Sequence, residues 1–199
     1  NGIVIEMAMD RLARTAGVDP LDFRLDHARD TRLQRVLQRV AALSRWPDPR
    51  PPATDGRRHG RGIGCGIYKG VSYAAVVADV EVDQAGDIRV TRVTCAHDCG
   101  RVINPGHLRA QCEGNIAWSL GLVLFDQLPL EDGMVSATSF WDAPPPRLTD
   151  MPAMEIELVD RGDAPSGAGE TVMAAAPGAI ANAISAATGR VLERLPVTL

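Results

Sequence analysis

Aromatic residues make up only 4% of this 199-residue sequence, so leucine, isoleucine, valine and alanine must fill most of its core. Basic residues are not in excess either: the formal net charge is −4 and the one basic cluster is short, at 57–61, which argues against a nucleic-acid partner. The longest apolar run, 171–188, is interrupted by proline, asparagine and serine, which excludes a transmembrane segment there. Because Glu6 and Asp10 stand where a signal peptide would be apolar, the sequence shows no targeting signal, and the compartment stays open between cytoplasm and periplasm.

Cysteine is also scarce, and its spacing follows no common metal or redox motif. The four cysteines stand at positions 65, 95, 99 and 112, with no C-x-x-C pair. Nothing indicates secretion, so we expect buried free thiols and no metal ligand among these side chains. A zinc site is the alternative, because Cys95, His97 and Cys99 would share one face of a strand. Cys112 or His107 would then have to supply the fourth ligand.

The first 45 residues read as helices with recognisable ends. Apolar spacing predicts a helix over 3–16 that ends at Gly17, with Ile5 and Leu12 on its buried stripe, together with Met9 and Ala16. Asp19 followed by proline predicts the start of a second helix. A third, amphipathic helix is predicted over 31–44, and its apolar side consists of Leu33, Val36, Leu37 and Val40.

A proline-rich stretch separates these helices from the rest of the chain. Its prolines stand at positions 47, 49, 51 and 52 and block regular structure. The sequence therefore predicts a helical segment over 1–45, a linker over 46–58 and a larger domain over 59–199.

Hairpins dominate the predicted larger domain. Alternating apolar residues predict strands over 71–83 and 88–97, joined by a turn at 83–86. Glycine at every second position from 60 to 66 leaves one face of a further strand bare, where a helix or a ligand would have to pack closely. A further helix is predicted to start at Asn104, which is followed by proline, and its glycines at 114 and 121 indicate a neighbour that approaches closely. Since strands and helices do not alternate strictly, we predict an α+β fold with antiparallel hairpins and packed helices, preceded by the small helical segment.

The most informative stretch is a glycine-spaced loop that closes on one carboxylate, Ser166–Glu170. Without a Cβ, glycine lets the backbone approach a bulky ligand closely. A carboxylate at the end of such a loop suits a general base set against a bound cofactor. A solvated glutamate in an ordinary glycine turn is the alternative, because glycine-rich loops that precede a helix are common.

Three separated segments, in this order, resemble the molybdenum hydroxylases of the xanthine dehydrogenase and aldehyde oxidase family. The first covers residues 73–83, and the second runs from Asp98–Pro105 into Gln111–Ile116. The third is Gly167–Glu170 with the alanine-rich helix that follows it. The sequence is most similar to the molybdopterin-binding large subunit of the isoquinoline 1-oxidoreductase and aldehyde dehydrogenase branch, and the ordered set is more specific than any one piece.

The resemblance implies a molybdopterin-binding-type domain and a concrete chemistry. Family members hydroxylate an electron-poor carbon, in an N-heterocycle or an aldehyde, with oxygen from water. By position, Glu170 is the glutamate that takes the proton from a molybdenum-bound hydroxyl. A carboxylate enclosed by a cofactor and a dry pocket is a stronger base than one in water, which agrees with this role.

The resemblance also implies the groups that surround this base. Gly167, Ala168 and Gly169 would offer backbone contact to the pterin, and Gln111 would hydrogen-bond to it, since an amide both donates and accepts. An ordinary solvated glutamine on a helix is the alternative for Gln111. The expected cofactor is molybdenum–molybdopterin cytosine dinucleotide. The expected partners are the remainder of a large subunit, a small subunit with two-iron two-sulfur clusters and a small-molecule substrate.

Two departures from the family pattern qualify what this chain can do alone. Thr171 and Val172 stand where the family loop usually continues with proline and glycine, which affects the loop's shape. The family's Gly-Gln-Gly segment and Phe-Gly loop are missing from these residues. We therefore expect the C-terminal part of a large subunit, inactive by itself. The alternative is a non-catalytic domain that packs against other subunits.

Overall fold

A computed structural model describes residues 1–46, 48 and 56–199, and it has the predicted α+β character. The predicted linker prolines lie outside the described residues. The helices are α1 Gly2–Ala16, α2 Pro20–His27, α3 Thr31–Ser44, α4 Pro105–Leu120 and α5 Ala176–Thr188. The strands are β1 Arg58–Tyr68, β2 Ser72–Val82, β3 Ile88–Asp98, β4 Leu130–Glu131, β5 Met134–Val135 and β6 Ala153–Leu158. None of the helices in the described ranges has the length and apolar character needed to cross a membrane.

The main sheet has four strands in the order β1-β2-β3-β6. The first three are antiparallel neighbours, and the turn between β2 and β3 forms the hairpin that the sequence predicted. The sixth strand pairs with β3 in the parallel direction, and α4 belongs to the long connection between them. Strands β4 and β5 form a separate small hairpin around Asp132 and Gly133, both with positive φ as a tight turn of this kind requires.

One face of the sheet is covered by α5, which approaches β1 without an intervening layer of side chains. A Cβ added at Gly60 would lie 2.0 Å from the carbonyl oxygen of Ala183, and one at Gly62 would lie 2.2 Å from the amide nitrogen of the same residue. The sequence predicted that either a helix or a ligand packs against the glycine face of β1, and the structure shows a helix there. The core on this side joins α5 and α4 to the apolar side chains of β2 and β3.

The opposite face of the sheet is covered by α3. Its predicted apolar residues Val36, Leu37 and Val40 are fully buried against Ile63 of β1 and the residues of β2 that point to this side. The helical segment 1–45 thus shares a core with the sheet. The division of the chain into segment, linker and domain stays a prediction.

The buried face of α1 is not the predicted one. Ile5 and Leu12 are 58% and 55% exposed, whereas Glu6, Asp10 and Ala13 are buried. The cause is the buried guanidinium of Arg24 on α2, whose Nε donates to Oε2 of Glu6 at 2.8 Å. The same carboxylate oxygen accepts from the amide of Cys65 at 3.0 Å, so α1 docks onto the sheet through a polar face.

Candidate functional site

The glycine loop crosses one end of the main sheet. It follows β6 and leads, through a 3₁₀ turn at Val172–Ala174, into α5. Its first residue, Ser166, donates its amide to the carbonyl oxygen of Cys99 at 2.9 Å. Its hydroxyl lies 3.0 Å from the carbonyl oxygens of Val71 and Cys99. The loop therefore starts from a fixed point beside the beginning of β2 and the end of β3.

The other end of the loop is fixed by the side chains of two residues, Thr171 and Asn115. Thr171 is fully buried, and its Oγ1 lies 2.7 Å from the hydroxyl of Ser72 at the start of β2. Asn115 of α4 donates from Nδ2 to the carbonyl oxygen of Gly169 at 2.8 Å, and its Oδ1 accepts from the amide of Met173 at 3.1 Å. Glu170 lies between these two backbone contacts.

The carboxylate of Glu170 lies on the surface of the described chain. Its Oε2 accepts a hydrogen bond from the phenol of Tyr68, at the end of β1, at 2.6 Å. This hydrogen bond is the main reason that the pKa of Tyr68 lies above its ordinary value. The family resemblance predicted a carboxylate enclosed in a dry pocket, and the described residues of this chain do not provide that enclosure. The predicted role of Glu170 therefore needs a surface beyond this chain, or a bound group, to shelter it.

The two glycines before Glu170 face open space. A Cβ added at Gly167 or Gly169 would have no described atom within 4 Å, and neither residue has a positive φ. Packing within the described chain therefore explains neither glycine. A backbone left bare in this way fits close approach by a bulky external group. Ala168 between them is half-buried.

Helix α4 places Gln111 near the glycine loop. The helix begins as predicted at Asn104, whose Oδ1 caps the amide of His107 at 3.0 Å. Gln111 is exposed, and its carbonyl oxygen accepts from Nδ2 of Asn115 at 2.8 Å, the same nitrogen that contacts Gly169. The structure thus joins two predicted site segments that are far apart in sequence.

Sequence reasoning missed Asn115, Tyr68 and Ser72. Asn115 lies within the second of the three motif segments, and its position four residues after Gln111 places it one helical turn further along α4. That spacing was the one available signal. Tyr68 and Ser72 flank the turn between β1 and β2, and their contacts with the loop arise only from the tertiary fold.

The alternative zinc site is not formed by the part of the chain that the structure describes. Within it, no group of three or more histidine, cysteine, aspartate or glutamate side chains is placed to hold a metal ion. All four cysteines are free thiols, and a hydrogen bond with Cys112 together with burial raises the pKa of Cys95 well above its ordinary value. His97 is fully buried, and burial lowers its pKa to about 4.

The fold and the loop together define the class of domain. It is an α+β domain in which an uncovered glycine loop carries the carboxylate of Glu170 and lies beside a helix with the exposed amide of Gln111. The sequence profile of the family described as the molybdopterin cofactor-binding domain matches residues 11–152. This is more than half of the chain, so the chain belongs to that family, as its motifs predicted. The matched range includes Gln111 and Asn115 and ends before Glu170.

Curated relatives agree with this assignment. A nicotinate dehydrogenase subunit of Pseudomonas putida is 35% identical over 211 aligned residues, which cover 100% of this chain and 18% of the relative. The beta subunit of isoquinoline 1-oxidoreductase of Brevundimonas diminuta is 30% identical over 201 residues, which cover 96% of this chain and 24% of the relative. The chain therefore spans about a quarter or less of the length of these two relatives.

Solved structures support the fold. Aldehyde oxidoreductase from Desulfovibrio gigas superposes with a TM-score of 0.78 over 96% of this chain and 39% of its own, at 16% identity. Quinoline 2-oxidoreductase from Pseudomonas putida 86 superposes with a TM-score of 0.60 over 63% of this chain and 17% of its own, at 29% identity. The predicted α+β architecture is confirmed.

Proposed function

We propose that this chain carries the general base, Glu170, and part of the cofactor-binding surface of a molybdenum-dependent oxidoreductase. One observation carries the proposal: the side chain of Asn115 joins the segment of Gln111 to the loop of Glu170, next to backbone that no other group in the described chain covers. The family resemblance predicts that both segments face the same cofactor, although they lie far apart in sequence.

The residues present fit a molybdopterin. The bare backbone at Gly167 and Gly169 allows close approach, and the exposed amide of Gln111 can both donate and accept. The bound cofactor would supply the redox chemistry by accepting the electrons removed from the substrate. We propose the cytosine dinucleotide form, a small iron–sulfur subunit with two-iron two-sulfur clusters, and the remainder of a large subunit as partners.

The contribution of this chain's own residues is positioning and proton transfer. The carboxylate of Glu170 would accept a proton at Oε2, the oxygen that Tyr68 now contacts, from the water-derived oxygen that is added to the substrate. We propose an N-heterocycle or an aldehyde as substrate, because relatives of this chain are named for nicotinate, isoquinoline and aldehyde. The remainder of the large subunit would exclude water from the carboxylate.

The test is the Glu170→Gln variant in the complete enzyme, because the amide keeps the size of the side chain and removes the base. We expect turnover to fall about 10²-fold to 10⁴-fold, as for the loss of a general base, with molybdenum content near that of the wild type. Glu131→Gln, which changes an exposed carboxylate in the small hairpin, is the matched control. Turnover of Glu170→Gln within about tenfold of the wild type would refute the base role.

A second candidate function is subunit assembly, and one observation favours it. Three large apolar side chains are almost fully exposed on the segment between α4 and β6: Phe140 at 80%, Trp141 at 85% and Leu148 at 90%. Phe140 and Trp141 are neighbours in sequence, and aromatic residues are enriched at protein–protein interfaces. Elemental analysis of the complete complex separates the two functions, because a native complex without molybdenum would leave assembly as the role of this chain.

A further inference from the structure

We infer that Asn115 is a positioning residue for the proposed base, and this inference rests on the proposed function of Glu170. Asn115 does not touch the carboxylate. Its side chain holds the backbone on both sides of it, at the carbonyl oxygen of Gly169 and at the amide of Met173. These two contacts fix the residue before Glu170 and the middle of the 3₁₀ turn that follows it.

The hydrogen-bonding capacity of Asn115 is used almost completely. Its side chain is buried, with 5% of the residue exposed, and Nδ2 donates to the carbonyl oxygens of Gln111 and Gly169, each at 2.8 Å. Its Oδ1 accepts the amide of Met173 at 3.1 Å. An amide is the one neutral side-chain group that donates twice and accepts in this way. Asparagine is also a poor helix former, so its place in the interior of α4 is explained by these contacts and not by helix propensity.

One side chain thereby sets the spacing between two site segments. Nδ2 holds the carbonyl oxygen of Gln111 and the carbonyl oxygen of Gly169 at the same time. Without this side chain, Glu170 would keep three local supports: the phenol of Tyr68, the buried contact between Ser72 and Thr171, and the hydrogen bond from the Met173 amide to its own carbonyl oxygen at 3.2 Å. Misplacing a catalytic group by about 1 Å costs on the order of 10²-fold in rate.

The chain offers a matched control in Asn182. This asparagine is also buried in a helix, and its Nδ2 donates to the carbonyl oxygens of Glu6 and Ile63 at 3.1 and 3.0 Å. Both of these bonds join α5 to α1 and β1, away from the glycine loop. An Asn182→Ala variant therefore removes the same chemical group, at similar burial, from a place that does not support Glu170.

The experiment uses the complete enzyme with its cofactor and compares Asn115→Ala, Asn115→Asp, Asn182→Ala and Glu170→Gln. Three quantities are measured: kcat and KM, molybdenum content, and hydrogen–deuterium exchange of peptides that cover 166–175. We expect Asn115→Ala to lower kcat about 10-fold to 100-fold with near-normal molybdenum content. Exchange at the Met173 amide should rise about threefold or more, because one of its two acceptors is lost and only the carbonyl oxygen of Glu170, at 3.2 Å, remains. Asn115→Asp keeps the side-chain acceptor, so it should keep Met173 protected, but it loses both donated hydrogen bonds and should lower kcat as Asn115→Ala does.

The control variants separate this inference from the proposed function. Asn182→Ala should lower thermal stability while leaving kcat within about twofold and the exchange of 166–175 unchanged. Equal kcat losses for the alanine variants of Asn115 and Asn182 would show that both act through stability, which would overturn the inference. An active Asn115→Ala enzyme beside an inactive Glu170→Gln enzyme would overturn it as well. An active Glu170→Gln enzyme would refute the proposed function itself. If Asn115→Ala does not fold, Asn115→Asp replaces it with kcat as the deciding readout, and a kcat within about twofold of the wild type would overturn the inference.

Discussion

His97 makes the stability of this chain sensitive to acid, and the size of the effect follows from its burial. The imidazole is fully buried, and neither ring nitrogen has a hydrogen-bond partner among the described residues. Burial therefore lowers its pKa from the ordinary 6.5 to about 4, because the charged form would lose its water without gaining a partner. The unfolded chain, in contrast, binds a proton near pH 6.5.

The direction in which stability changes with pH follows from this difference between the folded and unfolded pKa values. Between the two pKa values the unfolded state binds more protons, so this contribution to stability is complete above about pH 6.5 and is lost as the pH falls toward 4. The folded and unfolded pKa values differ by about 2.5, and a pKa difference of one corresponds to about 1.4 kcal/mol. We therefore expect the free energy of unfolding to fall by about 3 kcal/mol.

The assay is urea unfolding of this chain at several pH values between 7 and 4, with His97→Leu as the control. Carboxylates titrate over the same range in both proteins, so the informative quantity is the difference in unfolding free energy between wild type and variant. That difference should move by about 3 kcal/mol in favour of the variant as the pH falls. A difference that stays constant with pH would refute the reasoning, because it would mean that His97 has the same proton affinity in the folded and unfolded chain.

Two further predictions concern glycine and tyrosine. Gly62→Ala should destabilise the chain by about 3 kcal/mol or more in urea unfolding, because its Cβ would lie 2.2 Å from the backbone of Ala183. Gly114→Ala, its helical control with no described atom within 4 Å, should instead stabilise by about 1 kcal/mol. In a spectrophotometric pH titration of Glu170→Gln, the pKa of Tyr68 should fall back toward its ordinary value, since the hydrogen bond that raises it is weakened. An unchanged Tyr68 titration would mean that the two side chains do not meet in solution.

Local signals were enough to predict most of the elements. The pairs of a capping residue and a proline at Asp19 and Asn104 mark two helix starts, and the structure places both caps as predicted. The alternating glycines of β1 indicated a close neighbour on that face, although the sequence left open whether it was a helix or a ligand. Gly114 was expected to have such a neighbour too, and the described chain does not provide one. These signals succeed where the cause of the structure lies within a few residues.

Contacts between distant segments were not predictable in the same way. The apolar pattern of α1 pointed to Ile5 and Leu12, whereas the buried face is set by Arg24 on the next helix, which pairs with Glu6. The glycine loop and Glu170 were found from a local motif. Their support by Asn115 was not, because the sequence does not show which face of α4 meets the loop. Likewise, the parallel pairing of β6 with β3 depends on how a long connection folds back.

The glycine face of β1 determines which substitutions in the core can alter the position of the Glu170 loop. Past Gly60 and Gly62 the contact continues: a Cβ at Gly64 would lie 2.5 Å from the carbonyl oxygen of Ala175, and one at Gly66 would lie 2.5 Å from Cβ of Ala174, at the end of the turn after Glu170. The height of that turn above the sheet is thus set by main chain against main chain. Substitutions of larger side chains elsewhere in the core can therefore accumulate without moving the carboxylate of Glu170. A single methyl group added at one of these glycines would displace it.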